Sequence, residues 1–571
     1  MTHPAGRTFL LALAAALALA DTSVVTLALP QLESDLNTSV TGVAAVLFVY
    51  AAVLAIALPV AGAAARGPGA ARRLALAGFS LMTAASLWCA AVDRLGLLLA
   101  GRALQAAGAA AALAGAFALI DGAGRGRRAW RAASVLGIAV GPALGGALTQ
   151  LFDWRAIFIV QAPVAAAGAW VALRRAPAVT PALAGQPRVT PPGVSAARDA
   201  ALALVSAALG AVLFLLVLLV VAGWSVSPLS AAAAVTPFPL AAALAVRIGG
   251  PARLRGAAGC ALVGAGVLAL AWIPQPRLAW IVPPEVIAGI GMGFALGALS
   301  GELLAERTPP EAARLLSVRH AGVALVLVVL APIIAGQLIA ATHTAELEGV
   351  ALLLDSPLPP QNKLSLAPEL VVVANAQDPR AALRAGFAGQ RHRFTGTSRV
   401  AFDQLAASAD DTIIAAVQRS FHAAFVISGA LAFLASGLLL VGLVAPGAAR
   451  AGRDGRRRLR LRGAPVMITV AVLSVAAPVA YAAIDHHLAP ATVGIGDPCS
   501  AEPTPHSGGI AGLVQDGALA LLDTAACHLH TTREELVLAL ADPAEAARFA
   551  AQHHGFDPRP LAKLIDGLMA K

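Results

Sequence analysis

The sequence predicts an all-α membrane protein with thirteen transmembrane helices, and three observations support this fold class. Hydrophobic residues make up 58% of the 571 residues, charged residues make up only 13%, and the mean hydropathy is +0.77. A water-soluble core of this size does not need so much apolar surface. Thirteen apolar stretches are long enough to cross about 30 Å of hydrocarbon. The connections between them alternate between arginine-rich and nearly neutral.

The apolar stretches contain few charges and follow one another along most of the chain. They lie near residues 8–30, 40–62, 73–92, 95–120, 131–152, 155–174, 198–222, 227–246, 256–273, 280–303, 314–341, 419–445 and 464–484. For the first stretch a cleaved signal peptide is an alternative, because small residues follow its apolar run. The apolar pattern continues past Asp21 to Pro30, which favours a helix that stays in the membrane.

Arginine is concentrated in alternate connections between these stretches. The arginine-rich connections cover residues 66–73, 124–131, 174–199, 247–255, 306–319 and 450–462. The intervening connections, such as 30–39, are acidic or nearly neutral. Because loops rich in Lys and Arg stay in the cytoplasm, the sequence predicts a cytoplasmic N-terminus and an extracytoplasmic C-terminus. The same distribution accounts for the sequence pI near 10.5, so no nucleic-acid partner is predicted.

The fifth apolar stretch is rich in residues that weaken a helix. Glycine and proline in a helix interior cost roughly 1 and 3 kcal/mol relative to alanine. The residues concerned are Gly137, Gly141, Pro142, Gly145 and Gly146. Glycines four residues apart share one helix face and form a groove against which a neighbouring backbone can pack closely, and the proline favours a kink. Close helix contact therefore offsets the cost.

This string, G-x-x-x-G-P-x-x-G-G, resembles the antiporter motif of the major facilitator superfamily, which is typical of proton-driven exporters. Four other stretches resemble the multidrug exporters of that superfamily, the drug:proton antiporters usually built with fourteen spans. They lie at residues 20–36, 97–110, 153–163 and 222–239. The resemblance covers residues 8–340 well and 419–445 loosely. It implies two six-helix halves around a central site that opens alternately to either side of the membrane.

Two departures from the family pattern change these expectations. The family joins its sixth and seventh spans by an extra hairpin, whereas here only a short link rich in Pro and Ala separates them. The core is therefore expected to have twelve spans, with a thirteenth appended. In the gating loop between spans two and three, Gly62 and Gly69 are kept, but Arg66 stands where the family has an acid. The usual pairing of the two halves through that acid is then absent.

The expected organisation follows from the spans and the resemblance. It consists of a first six-helix half 1–175, a cytoplasmic linker 176–197, a second six-helix half 198–447 with an extracytoplasmic loop 342–418, a basic cytoplasmic loop 448–463, an added transmembrane helix 464–484 and a small extracytoplasmic helical domain 485–571. Arginine in place of lysine and the abundance of alanine suggest a GC-rich bacterial gene. The expected location is therefore a bacterial cytoplasmic membrane, with membrane lipids around the protein.

Charged residues inside the spans are candidates for function, because a charge at mid-membrane costs at least about 2.5 kcal/mol. Asp21 could hold a proton and release it when the site hydrates, pair with a cationic substrate, or only cap or hydrogen-bond to a neighbouring helix. The resemblance implies that Arg102 is buried beside an acid; the alternative is an arginine that reaches the membrane surface. Glu285 faces either the cavity or the outer rim. For Arg319 and His320 an anchor at the inner surface is favoured over a proton relay.

The C-terminal domain differs from the rest of the chain because it is polar and net negative. Its Cys499 and Cys527 lie on the oxidising side of the membrane, where a disulfide is favoured. Residues 531–555 predict one or two amphipathic helices. The domain holds seven of the twelve histidines, but their spacing matches no metal site, so no metal ligands are predicted.

The predicted function is proton-coupled export of a lipophilic small molecule or drug, cationic ones included, with the proton gradient as energy source and no cofactor. Two alternatives remain open. One is export of an endogenous lipid or secondary metabolite that is handed to an envelope protein partner by residues 485–571. The other is a sensor or assembly protein that derives from a transporter and moves nothing. Catalytic residues are not predicted, because no nucleophile–base pair, phosphate loop or metal cluster appears.

Overall fold

The computed structural model confirms the all-α fold class, and its described part contains helices and no strands. The described residues are 4–66, 69–120, 140–174, 192–302, 308–359, 362–363, 366, 379–444, 453–488, 493–500, 510–541 and 543–560. Twelve of the helices in this part are long and apolar enough to cross a membrane. Each of them corresponds to one predicted span. The fifth predicted span lies partly outside the described residues, and its described part, 140–151, is helical.

The helices follow one another through short connections. They are α1 (Pro4–Thr26), α2 (Leu29–Asp35), α3 (Val40–Ala64), α4 (Ala70–Ala91), α5 (Leu95–Ile120), α6 (140–151), α7 (Arg155–Arg174), α8 (Pro192–Val217, extended by a π-helical turn Leu218–Gly223), α9 (Pro228–Val235), α10 (Pro237–Ala245), α11 (Ala252–Ala269), α12 (Val282–Gly297), α13 (Pro309–Asp355), α14 (Pro379–Gln390), α15 (Gly396–Val444), α16 (Arg453–Leu488), α17 (Ile510–Leu529), α18 (Arg533–Ala541) and α19 (Pro543–Gln552). α9 and α10 together form one span.

The chain divides into two compact units. The first comprises residues 1–222, 226–335 and 421–488, and the second comprises 223–225, 336–420 and 489–571. Two helices contribute to both units, because α13 and α15 extend well beyond the apolar stretches at 314–341 and 419–445. Hydropathy marks only the part of a helix that suits lipid. The polar turns that continue each helix carry no such signal.

In the first unit the two halves of the bundle are built alike, from helices packed through small residues. α4 packs on α5 where Gly78 meets the backbone of Ala112, and α11 packs on α12 where Gly259 meets the backbone of Ala295. A side chain at either glycine would collide with main-chain atoms. Close backbone approach of this kind is a common way for helices to associate in lipid. The additional helix α16 packs against α11, and its Tyr481 donates to the carbonyl of Trp280 at 2.8 Å.

The second unit has its own apolar clusters and a covalent link. Phe387, Phe394 and Phe402 pack with neighbouring leucines between α14 and the first turns of α15. Cys499 and Cys527 form the predicted disulfide. Of the one or two helices expected within 531–555, the described residues form two, α18 and α19. The Thr532 hydroxyl accepts from the Glu535 amide at 3.2 Å and so begins α18.

A buried lysine in the second unit makes its stability depend on pH. Lys363 is 7% exposed and donates from Nζ to the carbonyl of Leu354 at 2.5 Å. Burial lowers the pKa of Lys363 to about 8, and Asp355 only partly opposes this. An unfolded lysine has a pKa of about 10.4. Between these values the unfolded chain binds more protons than the folded chain, so the free energy of unfolding rises with pH across this window.

We therefore expect Lys363→Met to raise the thermal unfolding midpoint at pH 7, where the folded protein holds the buried charge. The gain should shrink between pH 8 and pH 10, because the wild-type lysine then loses its proton. The measurement is the difference in midpoint between variant and wild type for the full chain in detergent, since other titrating groups cancel in that difference. A difference that stays constant across this pH range would contradict the assignment.

Candidate functional site

The first candidate residue, Asp21, lies in the interior of the amino-terminal half and is paired with an arginine. Its side chain and that of Arg102 on α5 are both fully buried. Arg102 Nη1 donates to Asp21 Oδ1 at 2.9 Å, and Nη2 donates to Oδ2 at 2.5 Å. Two parallel bonds between a guanidinium and a carboxylate are the strongest geometry available to such a pair. Asp21 is therefore one partner of a buried ion pair, rather than an isolated carboxylate.

Two glutamines and a serine extend this pair into a network across four helices. Gln105 accepts from Arg102 Nη1 at 2.6 Å and donates to Ser86 Oγ at 2.9 Å and to Gln161 Oε1 at 2.6 Å. Gln161 on α7 returns a bond to Asp21 Oδ1 at 3.0 Å. These side chains are at most 1% exposed. Because each polar group has a partner, the network avoids the cost of an unsatisfied buried group.

α3 and α7 supply the remaining surroundings of the guanidinium. Arg102 Nε donates to the Val46 carbonyl at 3.3 Å, and the guanidinium carbon lies 4.4 Å from the centre of the Tyr50 ring. The Tyr50 hydroxyl donates to the Ala18 carbonyl at 2.9 Å, which fixes the ring against α1. A second ring, that of Phe158, lies 5.7 Å from the guanidinium carbon. A desolvated cation over an aromatic face is stabilised by the ring quadrupole.

A cavity of about 80 Å³ lies between the two halves of the bundle, next to this network. α1 separates the two features, because Thr22 and Ser23 line the cavity whereas Asp21 does not. Lining residues from the other half come from α8, α10, α12 and α13. The carboxylate of the ion pair is therefore only one residue along α1 from the cavity wall.

Arg319 and His320, for which the sequence favoured an anchor at the inner surface, line this cavity. Within the described part of the chain Arg319 has no hydrogen-bond or ion-pair partner. His320 Nδ1 lies 2.8 Å from the Leu316 carbonyl, so it carries the proton of the neutral ring, and Nε2 is left as an acceptor. The Ser206 hydroxyl, also in the lining, is buried and has no partner among the described residues.

Glu285, the third charged candidate, lies in the first turn of α12. It is 1% exposed, and neither carboxyl oxygen has a hydrogen-bond partner in the described ranges. It does not line the central cavity. The arrangement brings Asp21 and Arg102 together but leaves Glu285 apart from them.

The described glycines of the fifth span pack where the motif predicts close helix contact. A side chain at Gly141 would overlap the Ser23 hydroxyl, and one at Gly145 would overlap the Val24 carbonyl oxygen, both on α1. A side chain at Gly146 would reach 2.7 Å from the Pro228 carbonyl oxygen, at the start of α9 in the other half. α6 thus contacts both α1 and the carboxyl-terminal half. Pro142 lies in α6, and Gly137 lies outside the described residues.

The gating loop lies at the opposite end of the bundle. A side chain at Gly62 would come within 2.5 Å of the Ala313 methyl group and 3.2 Å of the Pro309 carbonyl oxygen, so α3 and α13 touch here. The Ser317 hydroxyl also donates to the Ala55 carbonyl at 2.6 Å. Arg66 is exposed. Gly69 precedes α4 with φ +66°, a conformation that glycine adopts at little cost. The halves are therefore in contact on both sides of the cavity.

Sequence reasoning missed two parts of this arrangement. Ser86 and Tyr50 complete the buried network, but a serine and a tyrosine in apolar spans carry no distinctive signal. A cluster of ion pairs at the arginine-rich end also went unnoticed. In it Arg198 on α8 contacts Glu311 on α13 at 3.2 Å, and Arg314 contacts Asp199. In the described part of the chain no group of His, Cys, Asp and Glu could hold a metal ion.

Comparison with known proteins relates this geometry to a family. The model of the Major Facilitator Superfamily matches residues 11–313. The chain is 31% identical over 164 residues to the methylenomycin A resistance protein of Bacillus subtilis (strain 168), covering 28% of this chain and 35% of that protein. It is 33% identical over 158 residues to a multidrug resistance protein B homolog of Mycobacterium tuberculosis (strain ATCC 25618 / H37Rv), covering 27% and 29%.

A third relative, the putative multidrug resistance protein MdtD of Pectobacterium carotovorum subsp. carotovorum (strain PC1), is 32% identical over 163 residues, covering 26% of this chain and 33% of that protein. The chain thus spans about a third of the length of these relatives. Among solved structures, a bacterial homolog of the human lysosomal transporter Spinster, in an inward-facing and unoccupied conformation, aligns with a TM-score of 0.51. That alignment has 18% identity and covers 78% of this chain and 100% of the other. At this identity the likeness shows the fold.

Proposed function

Because the chain belongs to the Major Facilitator Superfamily, we propose that this multi-pass membrane protein exports a lipophilic small molecule in exchange for protons. The observation that carries the proposal is the buried pair of Asp21 and Arg102 directly behind the cavity wall. The drug-resistance names of the relatives support export of drug-like compounds. The arginine-rich loops support a cytoplasmic N-terminus in a bacterial cytoplasmic membrane.

The proposed coupling follows from what protonation would do to the ion pair. A proton on Asp21 removes the negative charge, and the buried Arg102 is then left without its counter-ion, which costs far more than a neutral group would. Hydration of the pair from the cavity side relieves this cost. We therefore expect protonation to displace α1, which carries both Asp21 and the cavity-lining Thr22 and Ser23.

The glycine contacts of α6 could transmit the displacement of α1 to the carboxyl-terminal half. α1 packs on the small-residue face of α6 at Gly141 and Gly145, and α6 touches Pro228 through Gly146. Surfaces without side chains allow helices to slide past one another without unpacking. We propose that the two halves rock against each other along these contacts.

Dye efflux from energised cells tests the proposal. Cells that express the wild type should extrude at least one of two preloaded dyes, cationic ethidium or anionic carboxyfluorescein, faster than cells without the protein, and a protonophore should abolish the difference. Asp21→Asn should reduce efflux to the level of cells that lack the protein, because an amide cannot exchange a proton. Asp93→Asn, which changes an exposed acid, is the matched control and should leave efflux unchanged.

Well-expressed wild type that extrudes neither dye would contradict the proposal for these substrates. Efflux that survives the protonophore would contradict proton coupling. Efflux that survives Asp21→Asn would move the coupling to another carboxyl group, for which the buried and unpartnered Glu285 is the next candidate within the described residues.

A second candidate function is export of an endogenous lipid or secondary metabolite to an envelope partner. The observation that favours it is the second unit, which has apolar clusters and a disulfide of its own. If removal of residues 489–571 abolished export while the protein still reached the membrane and bound substrate, the partner version would be supported.

A further inference from the structure

We infer that the central cavity binds the negatively charged head of an amphiphilic organic anion, with Arg319 as its counter-ion. This inference rests on the proposed transport function and names the class of substrate. It departs from the cationic class that the sequence left open. The observation behind it is an imbalance of charge within the cavity lining.

Arg319 is the one lining residue that carries a permanent charge. The other lining residues are apolar or neutral hydroxyl side chains, together with His320, and no Asp or Glu is among them. In the described part of the chain the Arg319 guanidinium has no hydrogen-bond or ion-pair partner. An unpaired cation in a largely apolar cavity is costly. A site of this kind gains free energy when a bound anion supplies the missing charge.

The buried Arg102 in the same bundle shows which contacts an arginine makes when its partners are groups of the protein itself. Arg102 is bound by Asp21, Gln105 and the Val46 carbonyl, and an aromatic ring covers it. Arg319 has none of these contacts in the described structure. Because the fold satisfies the buried guanidinium of Arg102 and leaves that of the half-buried Arg319 without a partner at a cavity, we assign Arg319 to a ligand.

Three acids on the helices around Arg319 are held by other arginines or lie outside the cavity lining. Asp21 on α1 is held by both terminal nitrogens of Arg102. Glu311, two turns earlier on α13, contacts Arg198. Glu285 on α12 does not line the cavity. The described lining of the cavity therefore contains a positive charge and no negative one.

Further donors and the apolar walls define the rest of the ligand. Ser206 presents a hydroxyl without a partner in the described structure, so it can donate to an anionic oxygen beside a guanidinium, which prefers two oxygens of one group. Leu47, Leu213, Phe238 and Met292 supply apolar walls. The volume of about 80 Å³ is below the roughly 300 Å³ of the smallest drug-sized pockets. In this conformation the cavity can hold a head group such as a carboxylate or sulfonate.

Equilibrium binding of three matched probes tests the inference without any gradient. The probes are 11-(dansylamino)undecanoate, its methyl ester, and an analogue with a trimethylammonium end, which share ring and chain and differ in charge. Full-length protein in neutral-lipid nanodiscs should bind the anion about tenfold or more tightly than the ester, the order of effect expected for a charge-assisted hydrogen bond. The cationic probe should bind least.

Variants assign the preference to Arg319. Arg319→Gln should abolish the preference for the anion, and Arg319→Lys should keep part of it. Arg247→Gln, which removes an exposed arginine outside the lining, is the matched control and should bind like the wild type. Because Arg319 has no partner in the described structure, its replacement should not lower the thermal unfolding midpoint, so loss of folding does not confuse the readout.

Equal binding of the three probes, tighter binding of the cation, absence of saturable anion binding, or a preference unchanged in Arg319→Gln would overturn the inference. A different set of results would reject the proposed proton coupling. Anion binding that depends on Arg319, without transport driven by a proton gradient, would keep the substrate class and reject the coupling. Gradient-driven efflux of ethidium, with no preference for the anionic probe in binding, would keep the proton coupling and reject the anionic substrate class.

Discussion

Replacement of Arg102 by glutamine should destabilise the protein by about 3–5 kcal/mol, because removal of one partner of a buried ion pair leaves an uncompensated charge. Asp21 would lose two hydrogen bonds and keep only the one from Gln161. Gln105 Oε1 would at the same time lose the hydrogen bond that it accepts from Arg102. The measurement is the thermal unfolding midpoint of the purified full chain in detergent, together with the yield of membrane-inserted protein.

The double variant Asp21→Asn with Arg102→Gln is the informative control. It replaces the charged pair with two neutral amides that can still hydrogen-bond to each other and to Gln161. Since neutral replacement of a buried pair is often tolerated, the double variant should recover most of the lost stability and still fail to transport. If the single and double variants were equally unstable, the loss would reflect packing around Tyr50 and Phe158 rather than charge.

Replacement of Gly145 by alanine should also have a large effect, because the new methyl group would overlap a backbone atom. The obstacle is the Val24 carbonyl oxygen on α1, and no rotation of a side chain can relieve it. Overpacking of this kind costs about 1–3 kcal/mol, occasionally more. We expect a lower unfolding midpoint and a loss of transport larger than the loss of folded protein, since the contact lies on the proposed rocking surface.

Substitutions at two other glycines distinguish a collision with the backbone from a general loss of stability when any glycine is replaced by alanine. At Gly141 the obstacle is the Ser23 hydroxyl, so Gly141→Ala should be milder and should be relieved by Ser23→Gly. At Gly437 on α15 nothing lies within 4 Å of the added carbon, so Gly437→Ala should be neutral or stabilising by about 0.5–1 kcal/mol. If Gly145→Ala behaved like Gly437→Ala, the close packing of α6 on α1 would be refuted.

The spans and the charged candidates Asp21 and Arg102 could be recognised from sequence, but the full set of groups that surround them could not. A bilayer imposes one requirement on every span, a length of apolar residues, and twelve described helices meet it where expected. Asp21 and Arg102 were detectable because charge inside such a span is rare. Nothing local connects Asp21 with Gln161, since their contact depends on how α1 and α7 pack.

For Arg319 the sequence did not predict the position in the fold. Its position at the start of an apolar stretch, next to an arginine-rich connection, favoured a membrane-surface anchor by the same rule that orients the protein. The structure places it in the lining of the central cavity, because α13 begins at Pro309, two to three turns before Arg319. Hydropathy records the mean polarity of a segment. It does not record which face of a helix points into the bundle.

The sequence by itself determined the class of the protein, the positions and order of the twelve spans that the described structure contains, the orientation expected from its loops and the small-residue face of the fifth span. These are properties of segments, and the bilayer and the helix period act on segments one at a time. Only the tertiary structure decided which charges are neutralised. Asp21 and Arg102 compensate each other, whereas Arg319 faces a cavity without a counter-ion in the described structure. Compensation is a property of pairs brought together from distant parts of the chain, so it follows from packing rather than from pattern.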